Sequence, residues 1–147
     1  MSKHCAHYSR DEIEELRSPP GAALISIRDP GSGRPRLRAD EWVRTLELQF
    51  HDISNPPPGG GSLWDSWGLQ GYVLPDVSHA VKIARFVHKH WDHSILVHCE
   101  MGLSRSAAVC EVLVGLGWDY VATRSEGRRL ANRRLVELLR EEFARRA

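Results

Sequence analysis

The chain predicts an α/β fold: a central, mostly parallel sheet flanked by helices. Three observations predict it. Short apolar runs at Ala23–Ile27, Leu46–Phe50 and Ile95–His98 have the length and composition of strands. Segments of helical periodicity alternate with them, most clearly over 76–91 and 104–116. Two reactive side chains, Asp52 and Cys99, stand at the ends of such runs, where open α/β sheets bind their ligands.

The elements follow in order. Residues 1–9 are polar, lie at a terminus and are read as unordered, His4-Cys5-x-His7 included. Ser9 with Glu12 forms a capping-box pattern that opens a short helix, Arg10–Leu16. Ser18-Pro19-Pro20-Gly21 ends it. The strand Ala23–Ile27 precedes a turn-rich stretch, 28–36, that starts with Asp29-Pro30-Gly31. Leu46-x-Leu48-x-Phe50 alternates with period two, as a half-buried strand does. A long Pro/Gly-rich loop, 54–75, carries Trp64, Asp65, Trp67 and Tyr72. Pro75 fits the first turn of a helix over 76–91, with Val77, Ala80, Val81, Ala84, Val87 and Trp91 on one stripe. Ile95–His98 is the third strand, and Ser104–Leu116 is a helix apolar enough to be buried, closed by Gly117. Two helices, 121–131 and 133–146, finish the chain, with Asn132 as N-cap of the second.

At 147 residues the chain reads as one domain, 1–147, long enough to bury a core. The net charge of +1 provides no global field for nucleic acid or an anionic membrane, so neither is expected as a partner and any attraction for anions must be local. No stretch is apolar enough to span a bilayer. Cys5, Cys99 and Cys110 are too few and too scattered for a disulfide framework, which points to a reducing cytoplasm. His88, His90 and His93 crowd a helix end, where basic side chains suit the dipole, and no metal or other cofactor is expected. The eight arginines and four glutamates between 124 and 146 read as a solvated helix face.

The most informative run is Ile95-Leu96-Val97-His98-Cys99-Glu100-Met101-Gly102-Leu103-Ser104-Arg105-Ser106. A buried strand ends in a cysteine, an arginine follows six residues later, then a hydroxyl residue and a helix. A loop of that length can curl with its N–H groups inward, the helix adds its positive end, and a guanidinium offers two parallel donors to phosphate oxygens. The same field favours the thiolate form of a cysteine. A purely structural cysteine beside a helix start would need no arginine there.

His98-Cys99-x-x-Gly102-x-x-Arg105-Ser106 resembles the signature of the cysteine-dependent protein tyrosine phosphatases. The run Gly102-Leu103-Ser104-Arg105-Ser106 is most similar to the dual-specificity branch and, within it, to a small bacterial subgroup of predicted tyrosine phosphatases. Weaker similarity extends from about residue 22 to the C-terminus. The resemblance implies a dual-specificity-phosphatase-like three-layer sandwich and a protein phosphatase. Its substrate would be phosphotyrosine, with phosphoserine and phosphothreonine as further candidates, on a phosphorylated protein or peptide. Cys99 would attack phosphorus to give a cysteinyl phosphate. Arg105 would bind the phosphoryl oxygens together with the loop residues Glu100, Met101, Gly102, Leu103 and Ser104. By the same resemblance Ser106 assists departure of the thiolate, and His98 bonds the loop backbone, a role that coexists with that of a satisfied core histidine.

The family takes its general acid from an aspartate upstream of the cysteine. Asp52 follows a strand, in a Phe50-His51-Asp52-Ile53 run that resembles the subgroup, and is favoured. Asp65 is the alternative on spacing, and Asp76 reads as a helix cap. The long insertion after Asp52 departs from the common pattern. Trp64, Trp67 and Tyr72 either wall the pocket or seal the loop against the sheet. No loop residue between Cys99 and Arg105 is basic, which argues for a singly phosphorylated protein residue over a polyphosphorylated lipid. A monomer is expected. The rival readings are a phosphoprotein-binding pseudophosphatase, a thiol redox sensor in which Cys110 pairs with Cys99, and arsenate-reductase-like or sulfurtransferase chemistry. The last is disfavoured because such enzymes resembling low-molecular-weight phosphatases carry their Cys-x5-Arg loop near the N-terminus.

Overall fold

Ile95, Leu96, Val97 and His98 are all buried, which is why their run is apolar without alternation: this strand is covered on both faces. It lies in the middle of a five-stranded sheet. The computed structural model describes residues 3–16, 21–37, 42, 44–54, 72–125 and 130–146. Its strands are β1 His4–Tyr8, β2 Ala23–Arg28, β3 Thr45–Gln49, β4 Ile95–His98 and β5 Asp119–Tyr120, in the order β3-β2-β4-β1-β5. Every pair is parallel. The helices are α1 Arg10–Glu15, α2 Val77–Lys89, α3 Arg105–Gly115 and α4 Arg133–Arg146.

Side chains alternate between two cores, as the pleat requires. Cys5, Ala23, Ile25, Ile95 and Val97 face α2, α3 and α4, whose Ile83, Val109, Leu113, Leu135 and Leu139 are fully or almost fully buried. Ala6, Leu24 and Leu96 face the other way, onto Ile13 of α1, Ala22 and Trp42. The register Ala6↔Leu96↔Leu24 runs this second row straight across three strands. The α/β expectation, a central parallel sheet flanked by helices, holds.

Several expectations need correction. Residues 4–8 are not unordered: β1 lies inside the sheet, between β4 and β5. Its buried positions are the small Cys5 and Ala6 and the polar His7, so it lacks the large apolar residues that mark a strand. The helix expected over 121–131 is absent from 121–125 and 130–132. Instead Val121 N donates to Cys5 O, and Thr123 Oγ1 donates to His7 O, which ties this stretch to β1. On α2 the buried stripe is Ala80, Ile83, Ala84 and Val87, while Val77 is exposed; Asp76 is the N-cap, completed by His79.

The topology fixes where chemistry can occur. The chain runs from β2 outward to β3 on one side and from β4 toward β5 on the other, so the carboxyl ends of β2 and β4 flank a switch point of the sheet. Asp29 follows β2, Asp52 lies just beyond β3, Cys99 follows β4 and Ser9 follows β1.

Candidate active site

Cys99 continues the ladder by one bond, its N–H donating to Tyr8 O at 3.2 Å, and then the chain curls. The Cys99 sulfur is buried, yet it is not in hydrocarbon. It accepts the Gly102 N–H at 3.2 Å and lies 3.1 Å from the Ser106 hydroxyl.

The carbonyls of the curl are bound on its outside. Glu100 O accepts from Arg10 N at 3.1 Å and Leu103 O from Leu130 N at 2.8 Å. Gly102 O accepts from His7 Nδ1 at 2.7 Å. No peptide is cis among the described residues, and in a trans peptide the N–H points opposite the carbonyl. The amides of Met101, Leu103 and Ser104 therefore turn inward, and none donates to a described residue. The first turn of α3 adds amides with no intrahelical acceptor. Together they form a ring of unsatisfied donors around the sulfur, an anion cradle. Gly102 makes the curl possible. Its φ is +74°, and a Cβ there would stand 2.4 Å from Ser9 N and 2.6 Å from Tyr8 C.

The Arg105 side chain is only 5% exposed. Its Nη1 donates to Asp29 Oδ1 at 2.6 Å and to Phe50 O at 2.7 Å. Nε is buried without a partner among the described residues, and no bond of Nη2 to them is found. Nε and Nη2 share one edge of the guanidinium, so the tied nitrogen is on one side and two parallel donors are free on the other.

Asp52 stands at the mouth. Its Oδ1 accepts from Ser104 Oγ and from Asn132 Nδ2, each at 2.7 Å, and Oδ2 has no partner among the described residues. A cavity of about 250 Å³ lies between Asp52, Cys99, Arg105, Ser104, Met101, Leu103 and Leu130. A somewhat larger cleft between α3 and α4, near Val112, Leu116 and Phe143, holds no nucleophile.

The other expected site residues fall into place around this core. His98 is buried; its Nδ1 faces Cys99 O at 3.4 Å and its Nε2 lies 2.6 Å from Ser26 Oγ. With Nδ1–H donating to the carbonyl, Nε2 accepts the Ser26 proton. Burial pushes this ring down to about 4, so it is neutral near neutral pH. Glu100 turns away from the cavity, accepting from Ser32 Oγ at 3.0 Å and facing Arg10. Tyr72 stacks on His51, centroids 4.6 Å apart, next to Asp52. Asp65, Trp64 and Trp67 lie outside the described residues. Cys110 is buried on α3, where its carbonyl faces the Cys5 thiol at 4.0 Å. Asn132 caps α4 as expected, accepting from Leu135 N at 2.9 Å.

Three residues with a place in the site are not anticipated. Asp29 obeys the same strand-end rule as Asp52, so Asp29-Pro30 after a buried strand is its signal. His7 is hidden because β1 itself is not recognised. The contact between Asn132 and Asp52 spans 80 residues, and no local pattern announces it.

No protein-family model matches the chain, and no curated protein is similar to it. Among solved structures it is similar to the crystal structure of human tyrosine phosphatase-like serine/threonine/tyrosine-interacting protein. The TM-score is 0.48 at 17% identity, over 85% of this chain and 78% of that one.

Proposed function

We propose that the protein is a phosphatase of phosphorylated proteins, acting on phosphotyrosine through a cysteinyl-phosphate intermediate. The observation that carries this reading is the free Nε–Nη2 edge of a buried arginine, set with inward amides around a cysteine sulfur. A buried donor edge without an acceptor among the described residues calls for an anion, and phosphate matches its geometry. The apolar Met101 and Leu130 at the rim suit an aromatic ester.

In the proposed reaction the Cys99 thiolate attacks phosphorus in line. The bond from phosphorus to the ester oxygen breaks, its electron pair stays on that oxygen, and Asp52 supplies the proton. The Arg105 edge and the amides hold the three equatorial oxygens as charge develops on them. Water then attacks phosphorus and gives a proton to the Asp52 carboxylate. The sulfur–phosphorus bond breaks, and the departing thiolate is held by the Ser106 hydroxyl and the Gly102 amide. Such a thiolate works best under reducing conditions, and a cytoplasmic location is part of this reading.

Hydrolysis of an aryl phosphate by the intact protein and its Cys99→Ser variant tests this. Turnover in the first and none in the second is the expected result. Full activity in Cys99→Ser rejects the mechanism. Oxyanion binding without turnover in the intact protein replaces it with a phosphoprotein-binding role.

A further inference from the structure

We propose that His7 is a positioning residue of the cradle. Its ring holds the Gly102–Leu103 peptide in the orientation that aims the Leu103 amide at a bound oxyanion, and Tyr120 holds the ring. This rests on reading the Cys99–Arg105 curl as an oxyanion site.

Two outward carbonyls of the curl, Glu100 and Leu103, are bound by main-chain amides, which only a proline substitution removes. The Gly102 carbonyl is bound by a side chain. It is also the one that most needs holding. Glycine populates both signs of φ with little penalty, so a peptide beside it flips more readily than its neighbours. A flipped Gly102–Leu103 peptide would present its carbonyl oxygen to the anion in place of an N–H. His7 opposes that flip from the outside.

The ring is placed for this. His7 is fully buried on β1. A carbonyl only accepts, so Nδ1 carries the proton it shares with Gly102 O at 2.7 Å. Nε2 lies 2.8 Å from the Tyr120 phenol oxygen, which donates to it when the ring carries its one proton on Nδ1. Thr123 Oγ1 donates to His7 O at 2.7 Å and fixes the backbone beneath the ring. The chain Tyr120 to His7 to Gly102 thus has a single direction of donation, which selects one tautomer.

Calorimetric titration with tungstate, a tetrahedral oxyanion, reads the cradle without reference to turnover. The intact chain is compared with His7→Phe, His7→Asn and Tyr120→Phe, with the melting temperature of each recorded in the absence of anion. Asparagine carries an N–H at the same bond count from Cβ as Nδ1. His7→Phe should weaken tungstate about tenfold or more, the effect of losing one buried donor, while His7→Asn should stay within about threefold of the intact chain. Tyr120→Phe should weaken binding measurably. Unchanged affinity in His7→Phe overturns the proposal, and so does His7→Asn binding as weakly as His7→Phe. Should His7→Phe fail to fold, Tyr120→Phe decides, and wild-type affinity there overturns the proposal. If the intact chain itself binds no tungstate, the oxyanion reading of the curl falls first.

Discussion

Asp29 and Arg105 meet at 2.6 Å across the open end of the sheet, and this contact decides which edge of the guanidinium faces the cavity. Asp29 and the Phe50 carbonyl occupy Nη1, so the paired donors Nε and Nη2 are left for a ligand. The carboxylate follows β2, the carbonyl follows β3 and the arginine opens α3. One side chain therefore reads the relative placement of three elements.

Removing Asp29 should loosen that aim. Asp29→Ala is expected to lower kcat/KM for an aryl phosphate about tenfold, in line with a lost charge-assisted bond. Asp29→Asn keeps an acceptor oxygen at the same reach and should lose less. Steady-state kinetics of the two variants checks this. Equal losses would show that the charge, and not the orientation, matters.

Gly102→Ala should damage the fold itself. The added Cβ meets the backbone at Ser9 and Tyr8, which cannot swing aside, and the φ of +74° strains any other residue. A loss of about 2 kcal/mol or more is expected. Urea unfolding of the variant measures it.

Asp52 and Asp65 are separable by their pH profiles. Asp52→Asn should abolish the limb of the rate profile that reports the general acid and lower kcat about 100-fold for a poor leaving group. Esters with good leaving groups should suffer less, because they need no proton. Asp65→Asn should leave the profile intact. The opposite pattern would move the acid to Asp65.

Acid should weaken the fold over a definite window. His98 titrates at about 4 in the folded chain and at 6.5 ordinarily. Below 6.5 the unfolded chain takes up a proton that the folded chain refuses until about pH 4. Stability therefore falls as pH drops through that range, by about 3 kcal/mol for this ring, and the loss is complete below it. Burial lowers His79 and His90 as well, in the same direction. Urea unfolding across the window should show the slope, and His98→Asn should flatten it by about one proton. A flat profile in the parent would contradict the burial of these rings.

The cradle is legible in the sequence because its parts are local. Cys99, Gly102, Arg105 and Ser106 fall within eight positions, between a strand and a helix that are themselves legible. Asp52 is legible by rule, since it follows a period-two strand. Other features depend on the sheet. β1 looks like a polar terminus because its buried positions are small or polar, and neighbours on either side supply the apolar surroundings. The expected helix is absent over 121–125 and 130–131, where the Val121 and Leu130 amides find partners at Cys5 and at the curl, and the Thr123 hydroxyl finds one at His7. Propensity is a weak guide where tertiary hydrogen bonds compete for the same groups.

The place of β1 also sets an order of events in biosynthesis. Residues 4–8 leave the ribosome early, yet both of their sheet neighbours, 95–98 and 119–120, are made late. Until residues 95–98 have been translated, β1 has no strand to pair with, and its second edge stays open until Tyr120 follows. Such long-range closure slows folding. It also means that the curl around Cys99 gains its outer contacts with Tyr8, Ser9 and Arg10 only late, when β1 has docked.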